Sequence, residues 1–261
     1  MRIALGLEYD GRGFCGWQSQ RSRCGVQDAL EQGLEQVAGS TIRTVSAGRT
    51  DSGVHAVAQV VHFDTAVDRP MSAWVRGTNA ATPTGLSVLW AQHVPDAFHA
   101  RYSAAARTYT YLLLNRPVRA ALDYGRVGWF HRPLDVDVMR DAARSLIGTH
   151  DFSAFRSAEC AAKTPVRRLD EIAIERRGDL IVLRFRANAF LQHMVRNLVG
   201  SLVYVGKGKY PPQWIAAVLG SRDRAQCAPT FAPDGLYLSA IEYDRVWNLP
   251  ATDRTPTLFS T

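Results

Sequence analysis

The sequence has little from which a metal site, a disulfide framework or a membrane anchor could be built. Its four cysteines, Cys15, Cys24, Cys160 and Cys227, form no Cys-x-x-Cys pair, and with seven scattered histidines they give no zinc spacing. They are expected to be reduced thiols in a cytoplasmic protein. No uninterrupted apolar run is long enough to cross a bilayer. The first residues, Met1-Arg2-Ile3-Ala4-Leu5-Gly6, run straight into a strand pattern with no apolar leader or cleavage site. Internal repeats, low-complexity segments and Pro/Ser-rich linkers are lacking too, as are nucleotide-binding motifs.

What remains is an ordinary folding composition with a basic bias. Apolar residues make up 46% of the 261 and charged residues 21%, which excludes wholesale disorder. Lys plus Arg number 31 against 24 Asp plus Glu, a net charge of +7. That excess suits a polyanionic partner, although solubility alone would also account for it. Most of the bases are arginine, which favours bidentate phosphate contacts and stacking on nucleobases.

Ile3, Leu5, Leu7 and Tyr9 alternate as in a half-buried strand. Val26, Leu30, Leu34 and Val37 make a helical stripe that Gly39 ends, with Gln27, Glu31 and Glu35 placed on the surface. Strands are expected near 42–45, 57–63 and 86–93, with a short helix over 71–80. The second half begins near Arg107 with a strand over 108–114. Asp135 caps a helix reaching Ile147. A hairpin turns on Arg177-Gly178-Asp179. An apolar helix spans 190–205, a shorter one spans 211–219, and a last strand lies near 236–243. The mixture lacks a regular βαβ beat, so the expected class is α+β with a largely antiparallel sheet. The expected division is 1–106, 107–247 and an irregular tail, 248–261.

Between two expected strands lies Gly48-Arg49-Thr50-Asp51-Ser52-Gly53-Val54-His55-Ala56. Two glycines bracket a guanidinium and a carboxylate, and glycine lets backbone approach a ligand closely. On the residues alone, a turn in which Asp51 caps its own backbone fits as well. Asp51 and His55 could be taken for a metal pair, but a third ligand is lacking.

This segment resembles the Gly-Arg-Thr-Asp-Ala-Gly-Val-His-Ala signature of the TruA family of pseudouridine synthases, with Ser52 where alanine is usual. Further matches follow in order. They are Tyr9-Asp10-Gly11, Phe14-Cys15-Gly16-Trp17-Gln18, Val26-Gln27, Phe98-His99-Ala100-Arg101 and Arg107-Thr108-Tyr109-Thr110-Tyr111. Asp151-Phe152 with Phe155, Asn188-Ala189-Phe190, Met194-Val195-Arg196-Asn197 and Gly235-Leu236-Tyr237-Leu238 complete the series. The resemblance implies a pseudouridine-synthase fold of two α+β halves whose sheets join across a central basic cleft. It implies isomerisation of uridine in the anticodon stem-loop of tRNA, at positions 38, 39 and 40. A homodimer without metal or organic cofactor is also implied.

That reaction breaks the N1–C1′ bond, turns the uracil and forms a C5–C1′ bond. It needs an ionised carboxylate as nucleophile, and Asp51 is the candidate, attacking either C1′ or C6. Arg196 lies on a helix that is apolar nearly all round, so its charge needs a partner. Either Asp51 or another acid at a wet edge could serve. By resemblance Arg49 holds the target base out of the stack, and Tyr109 contacts the flipped uracil and assists loss of the C5 proton. On a strand, Arg107, Tyr109 and Tyr111 share a face, so an arginine would stand beside tyrosines packing on a base. Candidate phosphate contacts are Arg21, Arg23, Arg167, Arg168, Arg184, Arg186, Lys207 and Lys209, each of which could instead be a solvated charge. His193 is expected to be structural. A binding-only RNA protein, a metal-dependent phosphodiesterase and a relative within the same family acting on another tRNA position or another RNA are the competing readings.

Overall fold

A computed structural model describes residues 1–250, 252–254 and 256. In chain order the elements begin with β1 (Arg2–Tyr9), α1 (Val26–Ala38), β2 (Val45–Ser46), β3 (His55–Asp64), α2 (Met71–Ala81) and β4 (Leu86–Val94). Then come β5 (Ala104–Asn115), β6 (Gly128–Phe130), α3 (Val136–Ala143), β7 (Gly148–Asp151), β8 (Val166–Arg177) and β9 (Leu180–Ala187). The last are α4 (Met194–Gly206), α5 (Gln213–Ser221) and β10 (Leu236–Tyr243). Two compact units result, one of Met1–Arg107 with Tyr237–Thr261 and one of Thr108–Leu236.

In the first unit the strand order is β4-β1-β3-β10, with β2 on β3. Neighbours pair antiparallel except β10, which runs parallel to β3. Ile3, Ala4, Leu5 and Leu7 are all fully buried. The inner strand β1 is therefore covered on both faces, where alternation alone suggested one. Trp74 of α2, also fully buried, packs edge-on against Phe63 of β3 at 5.2 Å.

Helix α1 starts at Gly25, whose amide donates to the Asp28 carboxylate, and ends at Gly39 in the left-handed region at φ 66°. Its Glu31 is a correction to the sequence reading, being 5% exposed rather than on the surface. The Glu31 carboxylate accepts from the Thr44 amide and hydroxyl, the Gln27 carboxamide and the Arg43 guanidinium. Burial is tolerable because each oxygen is engaged, and the result fixes the approach to β2.

In the second unit the order is β5-β9-β8-β7, with β6 parallel to β5. The β8–β9 hairpin turns through Gly178 at φ 59°. Asp135 caps α3 by accepting from the Asp137 and Val138 amides at 3.0 Å. The apolar helix begins later than its periodicity predicts. His193 takes φ 62°, so Phe190 and Leu191 precede α4 instead of forming its first turn. Along α4, Leu198, Val199 and Leu202 are fully buried, each contributing roughly 2 kcal/mol.

The expected irregular tail falls in part on 251, 255 and 257–261, outside the described residues. Within it, Asp253 bridges Ala240 antiparallel, the Ile241 amide donates to Thr252 O and the Arg254 amide donates to Ser239 O. Among the described residues no helix is long and apolar enough to cross a membrane.

Candidate active site

Asp51 lies on the connection between β2 and β3, where antiparallel pairing sets Val45 against His62 and Ser46 against Val61. A turn closed by the Val54 amide on Asp51 O at 3.1 Å, with Gly53 at φ 77°, carries the carboxylate. Asp51 is half-buried and Arg49 exposed, while Thr50 between them is buried.

Thr50 is the anchor. Its hydroxyl meets the Tyr9 hydroxyl at 2.8 Å, and its carbonyl accepts the Trp17 amide at 2.9 Å. Burial pushes the Tyr9 pKa upward, so the phenol stays neutral at any working pH. Gln59 of β3 donates to Gly48 O at 2.8 Å and reaches the Tyr9 hydroxyl at 3.5 Å. A buried chain of three side chains thus pins the loop on the N-terminal side of the carboxylate.

Arg107 reinforces the loop's start. Its guanidinium donates twice to Ala47 O, at 3.2 and 3.0 Å, and also to Ala104 O and Arg101 O. The sequence placed Arg107 beside tyrosines packing on a base; here it is buried and braces backbone instead. Two glycines close the packing. A Cβ on Gly11 would stand 2.2 Å from Val54 O, and one on Gly16 would stand 2.8 Å from Thr50 O.

His55 is structural. Its Nδ1 accepts the Gly11 amide at 3.1 Å, and its ring stacks on Tyr237 at 4.7 Å. An Nδ1 that accepts from Gly11 cannot also donate to Asp10, 3.3 Å away, whose carboxylate is held by Arg12. Among the described residues no group of three or more His, Cys, Asp or Glu could hold a metal ion.

The remaining predicted residues belong to the second unit. Tyr109 on β5 is 8% exposed and meets Phe190 edge-on at 5.1 Å. Tyr111 is fully buried and donates to Ala232 O at 2.9 Å, a core role. Arg196, in the first turn of α4, is half-buried, and its Nε donates to Phe231 O at 2.8 Å. The Phe231 amide returns a bond to Arg196 O at 3.2 Å, so this side chain's base is well fixed. His193 accepts the Asn197 amide on its carbonyl and sets the start of α4.

Of the candidate phosphate contacts, Arg168 and Arg186 both pair with Asp170, at 2.7 and 2.9 Å. Arg167 donates to Thr164 O and Val166 O. Lys207 and Lys209 lie over the Tyr204 ring at 3.9 and 4.3 Å. Against the expectation of four reduced thiols, Cys15 and Cys24 form a disulfide, while Cys160 and Cys227 are free. Their ends are brought together by the Cys15 amide donating to Cys24 O, a contact no local spacing announces.

Comparison with known proteins extends over both units. A family model described as tRNA pseudouridine synthase matches residues 7–103 and 142–244. A tRNA pseudouridine synthase A of Nitrosomonas eutropha is 58% identical, covering 96% of this chain and 90% of the relative. That of Methylobacillus flagellatus is 56% identical over 97% of both chains. That of Paraburkholderia phymatum is 57% identical over 100% of this chain and 97% of its own. With the matched segments spanning both units and including the whole Asp51 loop, the chain belongs to the tRNA pseudouridine synthase family.

Proposed function

We propose that this isomerase converts uridine to pseudouridine at positions 38, 39 and 40 of the tRNA anticodon stem-loop, with Asp51 as nucleophile. The observation that carries this reading is the anchoring of Thr50. A carboxylate whose neighbour is held by the Tyr9 hydroxyl and the Trp17 amide is presented with little freedom, as attack on a positioned sugar or base requires.

The target nucleotide is extruded from its stack at a cost of about a few kcal/mol. The Asp51 carboxylate then attacks C1′ or C6. The N1–C1′ bond breaks, the uracil turns and C5 bonds to C1′, expelling the carboxylate from C1′, or from C6 by a following elimination, while C5 loses its proton and N1 takes one up. Atoms balance without oxidant, donor or metal. Arg49, exposed on the same loop, contacts the RNA and helps hold the target base out of the stack. Tyr109 packs on the uracil, and its hydroxyl assists removal of the C5 proton. Arg196 supplies positive charge toward the same nucleotide, keeping ionised a carboxylate that a covering base would otherwise neutralise. The protein acts in the cytoplasm as a homodimer, which light scattering of the purified chain checks.

Tyr109→Phe is expected to bind tRNA within about 2-fold of wild type but to turn over roughly 10²-fold more slowly. Arg196→Ala should lose turnover more severely than tRNA affinity. Single-turnover kinetics with mapping of the modified positions reads all of this. Unchanged turnover in Tyr109→Phe removes the hydroxyl's role, and modification outside the anticodon stem-loop removes the positional assignment.

A further inference from the structure

The disulfide Cys15–Cys24 closes a short loop whose Cα ends are 5.4 Å apart. Backbone bonds hold those ends independently of the sulfurs. The Cys15 amide donates to Cys24 O at 2.9 Å, and the Val26 amide to Gly16 O at 3.0 Å. The Gln20 carboxamide crosses the loop to Cys15 O at 2.9 Å. The sulfurs are therefore neighbours whether bonded or not, as a pair that opens and closes without refolding requires. Cys15 is exposed and Cys24 half-buried, and an open groove lined by Gln20, Arg21, Arg23, Asp28 and Arg43 leads to Cys24. A small thiol can reach the bond.

The loop touches the catalytic segment on one side and presents charge on the other. Gly16, next to Cys15, packs on the backbone of Thr50 and Asp51, and Trp17 donates to Thr50 O. At the tip Arg21 and Arg23 are exposed. Arg23 holds φ 51°, a left-handed conformation uncommon for a residue with a Cβ, so the tip gains from a closure that holds it there.

We propose that Cys15 and Cys24 form a reversible redox site, exchanging with small-molecule thiols and disulfides, that sets how firmly Arg21 and Arg23 are presented to tRNA phosphates. In closure, one cysteine thiolate attacks a small disulfide R–S–S–R and expels R–S⁻. The second cysteine thiolate attacks the mixed disulfide and expels the other R–S⁻. Two protein thiols become one S–S bond, and two R–SH carry away both electrons and both protons; opening is the reverse. The backbone bonds fix the base of the loop, while the disulfide restrains its tip through Cys24, so the closed tip has fewer conformations to lose; oxidation tightens tRNA binding and leaves the chemical step alone. The inference builds on the proposed catalytic role of Asp51 only for its turnover readout.

The test equilibrates the full-length protein in buffers of reduced and oxidised glutathione. Alkylation and peptide mass spectrometry count the thiols of Cys15 and Cys24. In each state tRNA affinity and the single-turnover rate at saturating tRNA are measured. Reduction should raise Kd about 3- to 10-fold while the rate changes less than about 2-fold. The double variant Cys15→Ser/Cys24→Ser should bind as the reduced protein does in every buffer. If that variant fails to fold, the two states of the wild type still decide. Equal Kd in both states, or a pair that does not interconvert, overturns the proposal. Asp51→Ala carried through the same Kd and single-turnover measurements separates the two ideas: turnover persisting there removes the catalytic assignment, while the redox shift in Kd stands or falls by itself.

Discussion

His62, 4% exposed, accepts the Ala100 amide on Nδ1 at 3.1 Å. Burial, with Arg2 and His99 nearby, lowers its pKa to about 4. Between pH 6.5 and 4 the unfolded chain takes a proton that the folded chain refuses, so stability falls as pH falls through that window. The loss is of order 3 kcal/mol at its acid end. Thermal unfolding from pH 7 to pH 4 should show this slope in wild type and a shallower one in His62→Asn; parallel slopes would contradict it. At this scale the sequence shows contiguous chemistry well. Gly48–Ala56 was legible because nine adjacent residues carry it. Arg107 and Glu31 were misplaced because their partners, Ala47 and Thr44, stand 60 and 13 residues away. No periodicity distinguishes a brace from a surface charge.

Among the elements, the contact of Gly16 with the Asp51 turn, made by backbone at the base of the 15–24 loop, governs how well the proposed nucleophile is held. Gly16 is at φ 94°, and an added Cβ would meet Thr50 O at 2.8 Å and the Asp51 carbonyl carbon at 3.1 Å. Those are backbone atoms, which cannot swing aside. Gly16→Ala should cost about 1–2 kcal/mol in denaturant unfolding and reduce turnover more than tRNA affinity. A variant as stable and active as wild type would show that the loop does not position Asp51. Most helices and strands could be read from capping and alternation, as with Asp135 before α3 and Gly39 after α1. The start of α4 could not, because apolar spacing continues through Phe190 and Leu191 while His193 breaks the helix by backbone conformation alone.

For the whole molecule, a charge of +7 predicts salt-sensitive binding of tRNA. The plot of log Kd against log salt should have a slope steeper than about 3 in magnitude, with counterions released from several phosphates. A flat plot would mean that charge serves solubility instead. The α+β class was legible from the irregular mixture of elements. The return of β10 to lie parallel to β3, pairing Tyr237 with His55, was not. Pairings between distant segments leave no mark on local sequence.

The account turns on Asp51, and tritium release from tRNA labelled at C5 of uridine tests it most directly. Wild type should release tritium from the anticodon stem-loop. Asp51→Ala should lose turnover roughly 10³-fold or more while binding tRNA with similar affinity. Release from Asp51→Ala at the wild-type rate would contradict the assignment of this carboxylate as the nucleophile.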